Sequence, residues 1–386
     1  MRITEIREAT VSIPSPYRTA SIHFDAMTAS VVAIHTDARR DGRKIIGLAF
    51  DSVGRYGHGG LLRERFIPRL LAADPATYAD DAGGIDPERA WTVMMRNEKP
   101  GGHGERAGAV GLLDAALWDI VAKHEGRPLW RTLADRYNGG RGDGWVALYA
   151  SGGHYRDTDD LPHLRAEISR ARDAGHDHFK IKIGAIPLGQ DLRRVEAALA
   201  AIGNGRLAVD GNGCFDRETA FAYASALSEY DLAWLEEPVD PLDFQLHAEL
   251  ARAWPIPLAT GENLFSAADA RNLLRYGGLR RDRDLLQFDI SLSYGVVEYM
   301  RIVRLFEERG WNRSQCVPHA GHLLALHAVA GLGLGRFETA SDPESPFGEV
   351  PAGTTIEDGR AHLADVPGAG FEATPRLMTL FGTLID

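Results

Sequence analysis

Cysteine is nearly absent. The 386-residue chain has two, Cys214 and Cys316, far apart in sequence. That argues against a disulfide framework or a thiolate zinc site and fits a reducing cytoplasm. Long apolar runs are missing too: "HLLALHAVAGLGLG" falls short of the roughly 18 residues of a membrane helix and carries His322 and His327. Nor is there an excess of positive charge. Lys and Arg number 43 against 54 Asp and Glu, a net charge of -11. A nucleic-acid or anionic-membrane partner demands a basic surface, so neither is expected. The N-terminal "MRITEIREATVSIPSPYRT" alternates apolar with charged residues and lacks a continuous apolar core, so it reads as a strand and not a signal peptide. A soluble, unprocessed, cytoplasmic protein is expected.

What is present is ordinary globular composition, 44% hydrophobic and 25% charged. Over residues 1–140 strand-like stretches ("TEIREATVSI", "MTASVVAIHTD", "IIGLAF") precede helical ones. In "ERAGAVGLLDAALWDIVAKHEG", Val110, Leu113, Ala116, Leu117 and Ile120 recur at helical spacing. This order predicts an N-terminal α+β layer. Over 141–340 short apolar strands alternate with helical segments: "GWVALYAS", "HFKIKIG", "RLAVDGNG", "LAWLEEP", "IPLATGEN", "LLQFDIS", "SQCVPHAG" and "RFETAS". Eight such repeats predict a parallel (β/α)8 barrel in preference to an open sheet. The Gly- and Pro-rich 341–386 is expected to return to the first layer.

From the second strand onward each candidate strand closes on an ionisable residue: Lys182, Asp210, Glu236, Glu262, Asp289, His319 and Glu338. C-terminal strand ends of a barrel converge on one mouth, so residues recurring once per repeat form a ring. Asp210, Glu236 and Glu262 are consecutive members of it. Three converging anions cannot all stay ionised without a cation, and hard oxygen ligands without Cys or paired His point to Mg²⁺ rather than zinc. Alternation puts Lys180 and Lys182 on the same face, with Phe179, Ile181 and Ile183 turned toward the helices. Two adjacent ammonium groups near a metal depress each other's pKa, which makes Lys182 the expected base. For Lys180 an ion-pair role stands beside a substrate-binding one. Asp289 beside His319 makes a proton carrier, whereas His322 is expected to begin the next helix.

The motifs "KIK" (180–182), "DGN" (210–212), "EEP" (236–238) and "GEN" (261–263), with Asp289 and His319, resemble the enolase superfamily, mandelate racemase group, whose sites use a Lys or His base with Mg²⁺. The resemblance implies an α+β capping domain on a modified TIM-type barrel. It also implies Mg²⁺ on Asp210, Glu236 and Glu262, abstraction of a proton α to a carboxylate, and a homo-oligomer. Glu338 matches the position that hydrogen-bonds the substrate carboxylate, and Asn212, within "DGN", is a further substrate-binding candidate. In the capping region "GRYGHGGLLRERF" (54–66) and "NEKPGGHGE" (97–105) resemble the D-tartrate-dehydrating members of that group, which implies conversion of D-tartrate to oxaloacetate and water. Lys99 would then hold the second carboxylate of a hydroxy diacid.

Other readings compete. A racemase would use the same Lys182 and His319 on opposite faces of the substrate. A Schiff-base aldolase would need a barrel lysine but not three metal carboxylates. A binding protein that has lost turnover would not need an intact lysine, Asp289 and His319. The "GLGLG" run does not follow a strand and open a helix, so dinucleotide binding is not expected.

Overall fold

The computed structural model describes residues 1–52, 54–340 and 349–386. Three strands, β1 (Ile3–Ser12), β2 (Thr28–Arg40) and β3 (Arg43–Phe50), form an antiparallel sheet in that order. Every residue from Ala29 to Ile34 of β2 is buried, so both faces of this central strand are covered. The helix Glu105–Glu125 packs on β2 and β3, and the C-terminal helix Pro375–Phe381 also packs on β2. His35 Nε2 lies 2.7 Å from the carbonyl of Leu384, and Arg7 donates to the carbonyl of Asp386 at 2.9 Å, so the chain end is held at this sheet.

The barrel consists of β4 (Trp145–Gly152), β5 (His178–Lys182), β6 (Arg206–Asp210), β7 (Leu232–Glu236), β8 (Leu258–Thr260), β9 (Leu285–Leu286) and β10 (Arg336–Ala340), all parallel. β10 pairs with β4 and closes the ring. The expected strand in "SQCVPHAG" is reduced to a single bridge, with Val317 N–H donating to Leu286 and Gly335 N–H to Cys316. Pro318 follows at once and has no N–H to continue a ladder. The C-terminal segment also departs from expectation. Before reaching the first layer it forms a hairpin, β11 (Thr355–Glu357) and β12 (Arg360–His362), that pairs antiparallel with β4. Ala147 thus has β10 on one edge and β12 on the other. The expected start of that segment, 341, lies outside the described residues.

The helix Glu105–Glu125 lies between the two layers, and glycines let it approach both. A Cβ on Gly47 of β3 would lie 2.2 Å from the Ala116 carbonyl oxygen, and one on Gly111 would lie 1.7 Å from the carbonyl oxygen of Ser291 in the barrel. Asp114 Oδ2 accepts from Val296 N–H at 2.7 Å, capping a barrel helix (Val296–Glu308) whose own N-cap, Gly295, has no side chain. At the start of the helix Glu105 Oε2 lies 3.1 Å from Nε2 of the buried His58, whose Nδ1 lies 2.6 Å from Asp51 Oδ2.

Two outcomes follow from this junction. Gly111→Ala places a methyl against a backbone carbonyl that no rotamer relieves, so the protein should lose roughly 1–3 kcal/mol. A fall of several degrees in melting temperature is the expected reading; an unchanged one would mean the layers are not in contact there. Burial opposes charge on His58, but Asp51 and Glu105 outweigh it and raise its pKa to about 9. A raised imidazole stabilises the fold fully below its unfolded pKa near 6.5 and loses that contribution as pH climbs through 9. Half-exposed Glu105 discounts the gain, leaving at most about 3 kcal/mol. The melting-temperature advantage of wild type over His58→Gln should therefore shrink between pH 6.5 and pH 9.5, and a pH-independent difference would refute a charged His58.

Candidate active site

A cavity of about 540 Å³ opens at the C-terminal ends of the barrel strands. Its roof is a hairpin between β1 and β2, paired through Ile13 and Met27, Ser15 and Phe24, and Thr19 and Ile22. The hairpin touches the barrel directly: Ser21 Oγ donates to the Asn212 carbonyl at 2.7 Å, and Tyr17 stacks on His154 with centroids 4.6 Å apart.

On the barrel side, Asp210 and Glu236 are the last residues of β6 and β7, paired in register. Glu262 lies two residues beyond β8, past Gly261, whose φ of +128° and surroundings exclude a side chain: a Cβ there would lie 2.7 Å from the Phe288 ring. Oxygens of the three carboxylates lie within 4.8 Å of one another. Asp210 also accepts from Asn212 N–H at 2.8 Å, and Glu236 accepts from Trp234 at 2.9 Å and Gln287 at 2.8 Å. Burial and the neighbouring Asp210 and Glu262 raise the Glu236 pKa despite Lys180. The donor set, three buried carboxylates without sulfur or imidazole, suits a hard divalent cation.

Lys182 ends β5, lines the cavity and donates to Asp210 Oδ2 at 2.5 Å. Burial works against its charge, yet Asp210, with Glu262 and Glu236, outweighs both burial and Lys180 and holds its pKa above the usual lysine value. The expected depression by Lys180 is thus corrected: among the protein's own groups the carboxylates win. Of the two roles left open for Lys180, the geometry has the ion pair and corrects only the substrate-binding one. Lys180 is not on the cavity but buried beneath the triad, bonded to Glu236, 3.2 Å from Glu338 Oε1 and 3.7 Å from Asp210 Oδ2.

Beyond Glu262 stands His319, with Nε2 3.6 Å from Glu262 Oε2 and Nδ1 3.0 Å from Asp289 Oδ2. Burial opposes its charge, but Glu262 and Asp289 raise its pKa to about 10. Asp289 is held below the carboxylate range because His322 and His319 outweigh its burial. His322 caps the helix Leu323–Leu332 through Ala325 N–H, as expected. Glu338 sits mid-strand in β10 and not at its end; it lines the cavity and accepts from Tyr149 at 2.9 Å and Ala320 N–H at 3.1 Å. Asn212 lines the cavity too, with both its nitrogens on Asp210.

Lys99 is exposed and does not line the cavity, a correction to its expected role. Its loop is organised instead by Glu98, which draws in Arg65, Arg69 and Arg106 at 2.6, 2.7 and 3.1 Å. The cavity cation missed from sequence is Arg55, stacked over Phe265 at 5.0 Å and donating to Asn263 Oδ1 at 2.5 Å. Its motif "GRYGHGG" was legible, but not that the guanidinium points inward. His154, in "YASGGHY", is likewise a cavity residue, and burial and Lys182 lower its pKa to about 3, keeping it neutral.

Residues 163–377 match the family described as "Enolase C-terminal domain-like". The L-talarate/galactarate dehydratase of Salmonella typhimurium is 29% identical over 351 residues, 89% of this chain and 81% of that protein. The solved L-talarate dehydratase from Polaromonas sp. JS666, complexed with Mg and L-glucarate, superposes with a TM-score of 0.77 at 27% identity, covering 98% of this chain and 97% of that one. A racemase from Streptomyces coelicolor with bound magnesium gives 0.76 at 26%, covering 97% and 99%. With more than half of its length matched by the family model, and a capping layer over a TIM-type barrel shared with these structures, the chain belongs to the enolase superfamily.

Proposed function

We propose that the protein is a Mg²⁺-dependent hydro-lyase acting on a hydroxy diacid, with D-tartrate as substrate and oxaloacetate and water as products. The observation that carries this reading is the flanking of one buried carboxylate triad by Lys182 on the Asp210 side and an Asp-backed imidazole, His319, on the Glu262 side. The names of the relatives, dehydratases of sugar acids, support the reaction class. The capping motifs described above support the four-carbon diacid.

Asp210, Glu236 and Glu262 would hold Mg²⁺, which when bound offsets the negative charge that builds on the substrate carboxylate. With the triad's charge balanced by a bound cation, Asp210, Glu262 and Glu236 would no longer hold Lys182 charged, and its neutral form would take the α-proton. The C–H electron pair first moves onto the carboxylate as an enediolate; it then forms the C=C bond as the β-carbon–oxygen bond breaks and His319 gives its Nε2 proton to the departing hydroxyl, releasing water. The enol then takes a solvent proton at carbon and gives up its hydroxyl proton to solvent, becoming the 2-keto acid. Asp289 fixes the imidazole with Nδ1–H directed at itself, so that Nε2 is left for the substrate. Glu338, held ionised against its burial by Lys180 and His319, faces the substrate carboxylate from the cavity wall, and the roof hairpin excludes water. Arg55 takes the second carboxylate, the role first given to Lys99, because a guanidinium offers two parallel donors. A cavity of this size also admits six-carbon diacids, so another sugar acid is the second reading.

The decisive assay incubates purified protein, with and without Mg²⁺, with D-, L- and meso-tartrate, galactarate and L-talarate, and measures 2-keto acid. Mg²⁺-dependent oxaloacetate from D-tartrate alone is expected, reduced about 10²–10⁴-fold in Lys182→Ala. In D₂O, His319→Asn should keep α-hydrogen exchange while losing 2-keto acid. Exchange without 2-keto acid in the wild type would instead establish a racemase. Arg55→Met should raise KM for diacids roughly 10–100-fold and spare monocarboxylic hydroxy acids, whereas Lys99→Met should change neither. The opposite pattern would return the second carboxylate to Lys99.

A further inference from the structure

Asp289 is bonded to the capping layer as well as to His319. Ser52, two residues past the end of β3, donates its Oγ–H to Asp289 Oδ2 at 2.5 Å. The same oxygen accepts His319 Nδ1–H at 3.0 Å, while Asp289 Oδ1 accepts Leu292 N–H at 2.9 Å. Ser52 is itself fixed. Its N–H donates to Asp51 Oδ1 at 3.0 Å, and Asp51 Oδ2 meets His58 Nδ1, whose residue is anchored by its own N–H on Ser30 Oγ at 2.7 Å. Asp51, Ser52 and His58 are all buried, so no water substitutes for these bonds.

We infer that Ser52 is a positioning residue for His319: its hydroxyl, delivered from the capping layer, sets the plane of the Asp289 carboxylate and through it the tautomer and aim of the imidazole. The carboxylate torsion of an aspartate is broad and two-fold, and its other neighbours, Leu292 N–H at 2.9 Å and His322 Nε2 at 3.4 Å, both lie on Oδ1, so the position of Oδ2 falls to Ser52 and His319. The Ser52 bond occupies one lone pair of Oδ2 and leaves the other for Nδ1–H. Partners of this kind orient a working imidazole although they never touch substrate. The acid is therefore in place only while the capping layer is docked, and the base, Lys182, carries no such bond to that layer among the described residues.

This inference rests on the proposed role of His319 as acid, and the test separates the two. Full-length Ser52→Ala is assayed with Mg²⁺ and D-tartrate in D₂O for both 2-keto acid and α-deuterium in recovered substrate. In parallel, ¹⁵N-histidine-labelled protein is examined for the His319 Nδ1–H resonance, assigned by its loss in His319→Asn. Dehydration should fall about 10–100-fold while exchange and KM stay within about twofold, and the resonance should lose its protection from solvent. Ser52→Thr, which keeps the hydroxyl, should restore both. Exchange and dehydration falling together with the resonance intact would show that Ser52 merely packs the layers, and an unaltered rate and resonance would likewise overturn the inference. If wild type dehydrates no acid, the functional reading fails, and the resonance alone then decides whether Ser52 orients His319.

Discussion

Three carboxylates meeting in a buried space set the terms for the rest of this molecule. At 4.8 Å and an effective dielectric near 20, each pair of unit charges repels by roughly 3–4 kcal/mol, so Asp210, Glu236 and Glu262 persist together only with compensating cations. The chain supplies two from one strand. Lys180 lies below the triad among Glu236, Glu338 and Asp210, and Lys182 lies at its rim on Asp210. Both depend on β5 pairing with β6 so that Lys182 lies beside Asp210, and on β6 pairing with β7 so that Asp210 lies beside Glu236. A slip of one residue would turn every one of these groups toward the helices. Register therefore sets the charge balance of the site, and the answer to why a buried strand carries two lysines lies in the strands next to it.

The capping layer is attached to that arrangement at points that matter for chemistry. The helix Glu105–Glu125 wedges between the layers through Gly47 and Gly111 and lends Asp114 to a barrel helix. The segment after β3 delivers Arg55 to the cavity, His58 to Glu105 and Ser52 to Asp289. Undocking the layer would open the roof, withdraw a cation and loosen the imidazole in one movement. The two layers thus form one functional unit, and one apolar core runs through both, from Val31 and Leu48 in the capping sheet to Phe288, Phe306 and Phe337 in the barrel.

Much of this was legible in the sequence, for a definable reason. Strand-helix alternation at a fixed period specifies a barrel, and period-two alternation within a strand says which residues face in, so Lys182, Asp210, Glu236, Glu262, Asp289 and His319 could be gathered without coordinates. Legibility stopped where periodicity stops. The seventh expected strand, "SQCVPHAG", has the apolar residues of its neighbours, yet Pro318 limits it to one bridge. Lys99 was placed on the substrate from a loop motif whose charge at Glu98 in fact gathers three arginines. Arg55, His154 and Ser52 lie in loops, where the direction of a side chain depends on contacts distant in sequence. Lys180 was correctly set on the inward face, but facing inward does not say how far up the barrel an ammonium reaches.

That division between the periodic and the aperiodic is also a division of labour. The triad, Lys182 and the Asp289–His319 pair are held by strand register and strand ends, so none can be moved without disturbing its neighbours' charge balance. Substrate choice must then be exercised by parts that can vary independently: the roof hairpin 13–27, the loop carrying Arg55, and the segment carrying His154, which stacks on Tyr17 and stays neutral beside Lys182. A neutral imidazole can donate one hydrogen bond and accept another without adding charge, which suits recognition of a hydroxyl better than of a carboxylate. A cation and a neutral donor on different loops of one cavity would discriminate acids by where the second carboxylate stands relative to the hydroxyls, while the triad, Lys182 and His319 below stay the same.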